Sequence, residues 1–165
     1  MADVYLLQVT DFSTLYKKYA QDVYRFALYL SGERGQAEDI TSETFVRAWA
    51  SPEPIEAATV KSYLFTIARN LFLQGIRKQS RQVALDHDFS DGRAGPYSQA
   101  EQKEKLGAVM AELQKLPELS RAALLMHAVD EMPYEEIARV LEISLAAVKG
   151  KIFRARMALA GLKEN

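Results

Sequence analysis

The chain has 165 residues, of which 48% are apolar and 26% charged, so it can form one ordinary domain or two small ones with a buried core. It contains no cysteine, which excludes disulfides and thiolate metal sites, and its two histidines lie far apart without an acidic metal-ligand pattern. No apolar run approaches the roughly 18 residues of a membrane span, and residues 1–10 lack the basic flank of a secretory signal, so we expect a cytoplasmic protein without metal or cofactor.

The net charge of −1 conceals an uneven distribution of charge. Residues 57–85 contain five basic side chains and no acidic one, and residues 143–163 again contain five and none. The remainder holds 11 of the 21 basic residues against all 22 acidic ones, a net charge of −11. Two cationic surfaces on an acidic chain suit a nucleic-acid partner, although solvated helix faces explain the same charges equally well.

Helical spacing of apolar residues predicts three helices in the first half of the chain. The first starts after Asp11, which can cap it, and ends at Gly32. The second covers about 36–49, and two prolines then impose a loop over about 50–59. The third starts at Val60.

Periodicity is lost over about 79–100, a stretch rich in Asp, Gly and Ser. This composition predicts a flexible linker, which we place at 81–105 between helical domains at 1–80 and 106–165. In the second domain, helical spacing resumes at Leu106, and Pro117 and Pro133 start two further helices. We therefore expect an all-α protein of two small domains.

The segment YEEIARVLEISLAAVKGKIFRARMAL, residues 134–159, has the pattern of a helix-turn-helix. Ala138 is the small residue where two helices cross, Glu142 lies in the turn, and Ser144 caps the second helix. The face opposite its apolar anchors carries four cations, namely Lys149, Lys151, Arg154 and Arg156. A plain helical hairpin is the alternative, but a capped turn followed by an acid-free helix favours binding in the major groove.

Glu142 stands at a turn position that glycine usually holds. If the backbone is left-handed there, a residue other than glycine costs on the order of 1 kcal/mol. Glutamate in place of glycine at this position also puts a carboxylate near the proposed DNA-binding surface.

A second motif is the basic and aromatic helix KSYLFTIARNLFLQGIRKQSR, residues 61–81. Cations beside aromatic rings suit single-stranded DNA, because charge follows the backbone and rings stack on bases. The candidates are Lys61, Phe65, Arg69, Phe72, Arg77 and Lys78. Burial of Phe65 and Phe72 in the core is an equally good interpretation of those two rings.

A third motif, AEDITSETFVRAW at residues 37–49, combines an acidic face with an aromatic residue and an arginine. Its candidate contact residues are Glu38, Asp39, Glu43, Phe45 and Arg47. On physical grounds alone, an ordinary solvated helix start with acids near the dipole explains the same pattern. Thr41 and Ser42 in this segment are possible phosphorylation sites, and Thr44 is expected to point inward.

Four segments resemble, in order and spacing, the extracytoplasmic-function sigma factors of bacterial RNA polymerase. They are AEDITSETFVRAW, then YLFTIARN within the basic helix, then LPELSRAALLMHAVDEM, and then the helix-turn-helix segment. The resemblance covers roughly residues 10–162. It implies that residues 10–80 form region 2, which binds the polymerase clamp helices and the −10 element. Residues 106–162 would form region 4, which binds the polymerase flap and the −35 element.

The resemblance also assigns roles to individual residues. The acidic segment around Glu38, Asp39 and Glu43 would face the clamp, and the loop 50–59 would hold a flipped −10 base. The −35 major groove would be faced by Lys149, Gly150, Phe153 and Arg154. The chain departs from the family pattern at Gly150, where serine is common, at Pro133, where serine or threonine is common, and at Thr41 and Ser42.

The resemblance implies a non-enzymatic subunit that brings RNA polymerase core to promoter DNA and is masked by an anti-sigma factor. The alternative is a two-domain helix-turn-helix regulator that does not bind polymerase core. Such a regulator needs no core-binding helix, so the segment from Glu38 to Trp49 argues against it.

Overall fold

A computed structural model of the protein describes residues 12–50, 59–85 and 107–161. These residues are helical and contain no strand, which confirms the predicted all-α class. The helices are α1 Phe12–Ser31, α2 Arg34–Ala50, α3 Val60–Leu85, α4 at residues 107–115, α5 Glu118–Ala128, α6 Tyr134–Leu141 and α7 Leu145–Ala160. Most of the predicted loop 50–59 and of the linker 81–105 lies outside the described residues, but residues 81–85 belong to α3.

Helices α1, α2 and α3 form one bundle, here called the N-terminal bundle, around a core of large apolar side chains. Phe26 of α1 and Phe65 of α3 stack at its centre, with ring centroids 4.5 Å apart and planes 8° apart. The predicted end of α1 is confirmed, because Gly32 has a φ of +78° and its N–H donates to the Leu28 carbonyl at 2.7 Å.

Helices α4 to α7 form the C-terminal bundle, in which α5 and α6 both pack on α7. Its core includes Met126, Ile137, Val148 and Ile152, each at most 1% exposed. Because these residues recur at helical spacing, α6 and α7 each bury one face and leave the other to solvent.

The two bundles pack directly against each other through α1 on α5 and α3 on α6. The buried Arg121 of α5 supports this contact, since its guanidinium donates to the carbonyls of Leu30, Leu113 and Leu116. The Leu30 carbonyl belongs to the last turn of α1, which has no intrahelical partner for its carbonyls. Burial lowers the pKa of Arg121, and the Glu118 carboxylate opposes this shift.

Candidate nucleic-acid interfaces

The predicted helix-turn-helix is formed by α6, a turn and α7. Glu142 has φ 57° and ψ 46°, so the backbone of this turn is left-handed at a non-glycine residue. The N–H of Ile143 donates to the Ala138 carbonyl at 3.1 Å, which closes α6. The Ser144 hydroxyl accepts the N–H of Ala147 at 3.0 Å and caps α7 as predicted.

Arg154 of α7 lies away from the buried residues Val148, Ile152 and Ala155, whereas the other cations lie on the two flanks of that buried face, namely Lys149, Lys151 and Arg156. Lys149, Arg154 and Arg156 are exposed, Lys151 is partly buried, and Phe153 is 65% exposed. At the partly buried Gly150, an added Cβ would meet a guanidinium nitrogen of Arg154 at 3.3 Å. The helix therefore presents an exposed cationic surface with one exposed ring, and the guanidinium of Arg154 lies against Gly150.

The basic helix α3 does not present all its candidate residues to solvent. Arg77 and Lys78 are exposed, whereas Phe65 and Phe72 are 0% and 5% exposed. The two rings complete the core of the N-terminal bundle, so neither is available to stack on a base in this structure. This corrects the idea that they form an accessible stacking surface, because their apolar area is buried within the bundle.

Two further cations of α3 are engaged by carboxylates, Arg69 by one of the C-terminal bundle and Lys61 by one from each bundle. Arg69 donates from Nε and one terminal nitrogen to Glu118 at 2.8 and 2.6 Å. Lys61 lies 3.2 Å from Asp22 within its own bundle and 3.8 Å from Asp130 of the other bundle. The structure thus divides the six candidates of α3 into two exposed cations, two engaged cations and two buried rings.

Asp130 lies in a cleft of about 470 Å³ between the bundles, lined also by Lys61, Asp22 and Glu136. Its side chain is 1% exposed, and neither carboxylate oxygen has a hydrogen-bond partner among the described residues. The 3.8 Å separation from Lys61 is an ion-pair distance that is too long for a hydrogen bond. Burial raises the pKa of Asp130 to about 6, and Lys61 opposes the shift.

The acidic face of α2 is solvent-accessible. Glu38, Asp39, Glu43 and Arg47 are exposed, and Glu43 forms an exposed ion pair with Arg47 at 3.1 Å. Phe45 differs from the other candidates because it is 0% exposed. It is therefore a core residue that fixes α2 rather than a side chain within reach of a partner.

An aromatic patch beside this acidic face is a feature that the sequence analysis missed. It consists of Phe12, Tyr16, Val46 and Trp49, each between 37% and 55% exposed. Phe12 contacts Trp49 with ring centroids 5.8 Å apart and stacks on Tyr16 at 6.0 Å. Helical spacing places Tyr16 and Trp49 with the inward residues. Only the packing of α1 on α2 shows that their rings lie at the exposed edge of the contact between these two helices.

The hydroxyl groups of α2 are mostly engaged. Thr41 is buried and donates to the Ala37 carbonyl at 2.7 Å, so it is not an accessible phosphorylation site in this structure. Thr44 points inward as expected and donates to Ile40 at 2.6 Å. Ser42 is exposed.

Within the described ranges, no three or more acidic or histidine side chains lie together in a cluster suited to a metal ion. In the same ranges no helix combines the length and apolarity needed to cross a bilayer.

Comparison with known proteins matches both bundles to family models. Residues 15–82 match sigma-70 region 2, and residues 106–159 match sigma-70 region 4. The sigma factor SigM of Bacillus subtilis is 36% identical over 153 residues, covering 90% of this chain and 92% of SigM. The sigma factor SigE of Mycolicibacterium smegmatis is 35% identical over 150 residues, covering 88% of this chain and 58% of SigE.

Solved structures agree with the sequence matches. RpoE of Bartonella quintana, in complex with the anti-sigma factor NepR, superposes with a TM-score of 0.79 at 26% identity, covering 93% of this chain and 97% of that one. CnrH, in complex with the cytosolic domain of CnrY, gives a TM-score of 0.72 at 25% identity, covering 99% and 98%.

The two helical bundles and their matches define a sigma factor of RNA polymerase. Within that class the chain belongs to the extracytoplasmic-function family, whose members direct transcription initiation at specific promoters. It is a regulatory subunit, and the alternative of a regulator unconnected with polymerase is not favoured.

Proposed function

We propose that the two bundles act as separate recognition domains, connected by a linker that starts after the end of α3 at Leu85 rather than at residue 81. The N-terminal bundle binds RNA polymerase core and the −10 element, and the C-terminal bundle binds the −35 element. As a partner of polymerase, the protein acts in the cytoplasm and performs no catalysis itself.

The observation that carries this proposal is the exposed cationic face of α7. A capped helix behind a short turn enters the major groove with its first turns near base edges and later cations near phosphates. Ser144, Lys149 and Gly150 occupy the first turns, and Phe153 and Arg154 follow on the exposed side. Lys151 and Arg156 lie further round the helix, where contact with phosphates is the simpler role.

Polymerase core binding is assigned to α2. The exposed carboxylates Glu38, Asp39 and Glu43 supply charge that steers and orients the docking. The adjacent aromatic patch supplies apolar area, because interfaces bury a central apolar region inside a polar rim. Together the two surfaces form one docking face across α1 and α2.

The −10 element is assigned to α3, whose stretch has no acidic residue. The exposed Arg77 and Lys78 are available to a DNA backbone in the described arrangement, whereas Lys61 and Arg69 require release from their carboxylate partners. An anti-sigma factor is a further proposed partner, since RpoE was solved in complex with the anti-sigma factor NepR.

Transcription with purified polymerase core tests the −35 assignment. Arg154→Ala should lower initiation at a −35-dependent promoter by the equivalent of about 1–3 kcal/mol if Arg154 contacts a base. Lys115→Ala is the matched control, because it removes one cation from the same bundle at a side chain that is 71% exposed and does not belong to α7. Full transcription by Arg154→Ala would refute the assignment of α7.

Native-gel titration of polymerase core tests the docking face. Asp39→Lys should weaken core binding while the fold is retained, since an exposed charge contributes little to stability. Glu33→Lys makes the same charge reversal at an exposed residue before α2 and should bind core like the parent. Equal affinity of all three proteins for core would remove α2 from the interface.

A further inference from the structure

We propose that the C-terminal bundle is an intramolecular mimic of DNA: Glu118 holds the guanidinium of Arg69 and so keeps the −10 surface of α3 closed. The inference rests on the proposed role of α3 in binding single-stranded DNA. It concerns the state of the protein before promoter opening, when no unpaired strand is present.

The Arg69–Glu118 contact has the geometry with which arginine binds a phosphate. Two nitrogens of one guanidinium meet the two oxygens of one carboxylate at 2.8 and 2.6 Å. Such a fork-to-fork pair is stronger and more directional than a single ion pair, and it uses the same donors that would bind a phosphate. A DNA strand and Glu118 therefore compete for Arg69.

The pair is also sheltered from water. The side chains of Arg69 and Glu118 are only 14% and 19% exposed. Screening by salt and solvent is weaker there than on an open surface. A strand that displaced Glu118 would have to separate a partly buried pair at the contact between the two bundles.

Further contacts of the same kind extend along the start of α3. The Thr59 hydroxyl donates to the Glu136 carboxylate of α6 at 2.7 Å. Lys61 faces Asp130 at 3.8 Å. In both contacts, the cation or hydroxyl comes from the N-terminal bundle and the carboxylate from the C-terminal bundle.

The charge distribution of the sequence explains the direction of these contacts. Residues 57–85 contain no acidic residue, so Arg69 finds no carboxylate within its own helix. Arg121 fixes the position of α5 by donating to the Leu30 carbonyl of α1, and Gln114 donates to the Tyr29 carbonyl at 3.1 Å. These uncharged acceptors dock the bundles and bring Glu118 to Arg69.

Closure hides only part of the recognition surface. The acidic face of α2 and the cationic face of α7 remain exposed while Arg69 is engaged. The closed protein is therefore open to other partners, whereas unpaired DNA binds weakly, because Arg69 is engaged and only Arg77 and Lys78 of the six candidates of α3 are exposed.

The absence of native cysteine allows a direct test of closure in the full chain. Spin labels at Gly35→Cys and Ala158→Cys report the distance between the bundles. A Cβ at residue 35 meets nothing within 4 Å, and Ala158 is exposed. Binding of single-stranded DNA is followed separately by the anisotropy of a fluorescein-labelled oligothymidylate.

Glu118→Gln should lengthen and broaden the distance distribution and tighten oligothymidylate binding on the order of ten-fold, since a closed majority lowers apparent affinity. Glu112→Gln is the matched control, because it removes a carboxylate that pairs with Lys115 within the C-terminal bundle. It should leave both readouts as in the parent. Arg69→Gln should open the chain like Glu118→Gln but give no gain in DNA binding.

Unchanged distances in both Glu118→Gln and Arg69→Gln would overturn the closure. Opening without tighter DNA binding in Glu118→Gln would overturn the mimicry, because Arg69 would then not be a DNA-binding group. Neither result affects core binding or −35 transcription, so failure of this inference leaves those two parts of the proposed function standing.

Discussion

Replacement of Asp130 by asparagine should stabilise the folded chain at neutral pH and lose part of this effect in acid. The carboxyl group is almost completely buried between the bundles, and no described group hydrogen-bonds to it. Burial is the largest influence on its pKa, Lys61 and Arg25 oppose it, and Asp22 reinforces it. The amide of asparagine has nearly the same shape and carries no charge to desolvate.

The size of the effect follows from the shift in pKa. A pKa of about 6 in place of 3.8 corresponds to about 3 kcal/mol between the two protonation states. The folded chain binds this proton more tightly than the unfolded chain, so the free energy of unfolding falls as pH rises from about 4 to above 6. We expect Asp130→Asn to gain up to about 3 kcal/mol at pH 7.5 and about half of that near pH 5.

Urea unfolding followed by circular dichroism at the two pH values measures this difference. Asp39→Asn serves as the control, because it removes an exposed carboxylate and should change stability by less than about 0.5 kcal/mol at either pH. A loss of stability in Asp130→Asn at pH 7.5 would show that attraction to Lys61 outweighs burial. An equal gain at both pH values would show that the carboxyl group does not titrate in this range.

Three other substitutions have expected effects on stability that the same urea unfolding measures. Glu142→Gly should stabilise the protein by about 1 kcal/mol, because the left-handed backbone at φ 57° is strained for glutamate; no gain would contradict that strain. Gly150→Ala should add about 0.5–1 kcal/mol to the free energy of unfolding, because it removes a glycine from the interior of α7. This gain requires the Arg154 side chain to move away from the new Cβ, and a loss of stability would mean that Arg154 cannot move. Arg121→Leu should lower stability by about 3 kcal/mol or more, since buried carbonyls lose their hydrogen-bond donor. Arg139→Leu, at an exposed arginine, is the control and should change stability by less than about 0.5 kcal/mol. Equal effects of the two substitutions would refute the structural role of Arg121.

Local features of the chain were predictable because their causes are local. Apolar spacing placed α1, α2 and the helix-turn-helix, and Gly32 and Ser144 marked a helix end and a helix start. At Glu142 the sequence indicated a turn position that glycine usually holds, and the structure shows that the backbone there is left-handed. The left-handed Glu131, with a φ of 53°, was missed, although it lies in the short connection before Pro133.

Exposure of the aromatic side chains was decided by packing. Phe65 and Phe72 are adjacent to cations in sequence, yet their rings fill the N-terminal core, whereas Trp49 is 45% exposed at its edge. A helical period identifies a stripe of apolar residues but not where the stripe leaves the core. That boundary depends on how far the neighbouring helix extends.

The amino-acid sequence by itself determined the helical class, the two cationic segments and the family to which the chain belongs. Only the tertiary structure decided that the bundles dock on each other and that Arg69 is held by Glu118, 49 residues further along the chain. Periodicity and capping act over a few residues, so they leave a signal in a short window of sequence. An ion pair between distant helices leaves none, because any acidic residue of the second bundle could have supplied the carboxylate until packing brought one of them to Arg69.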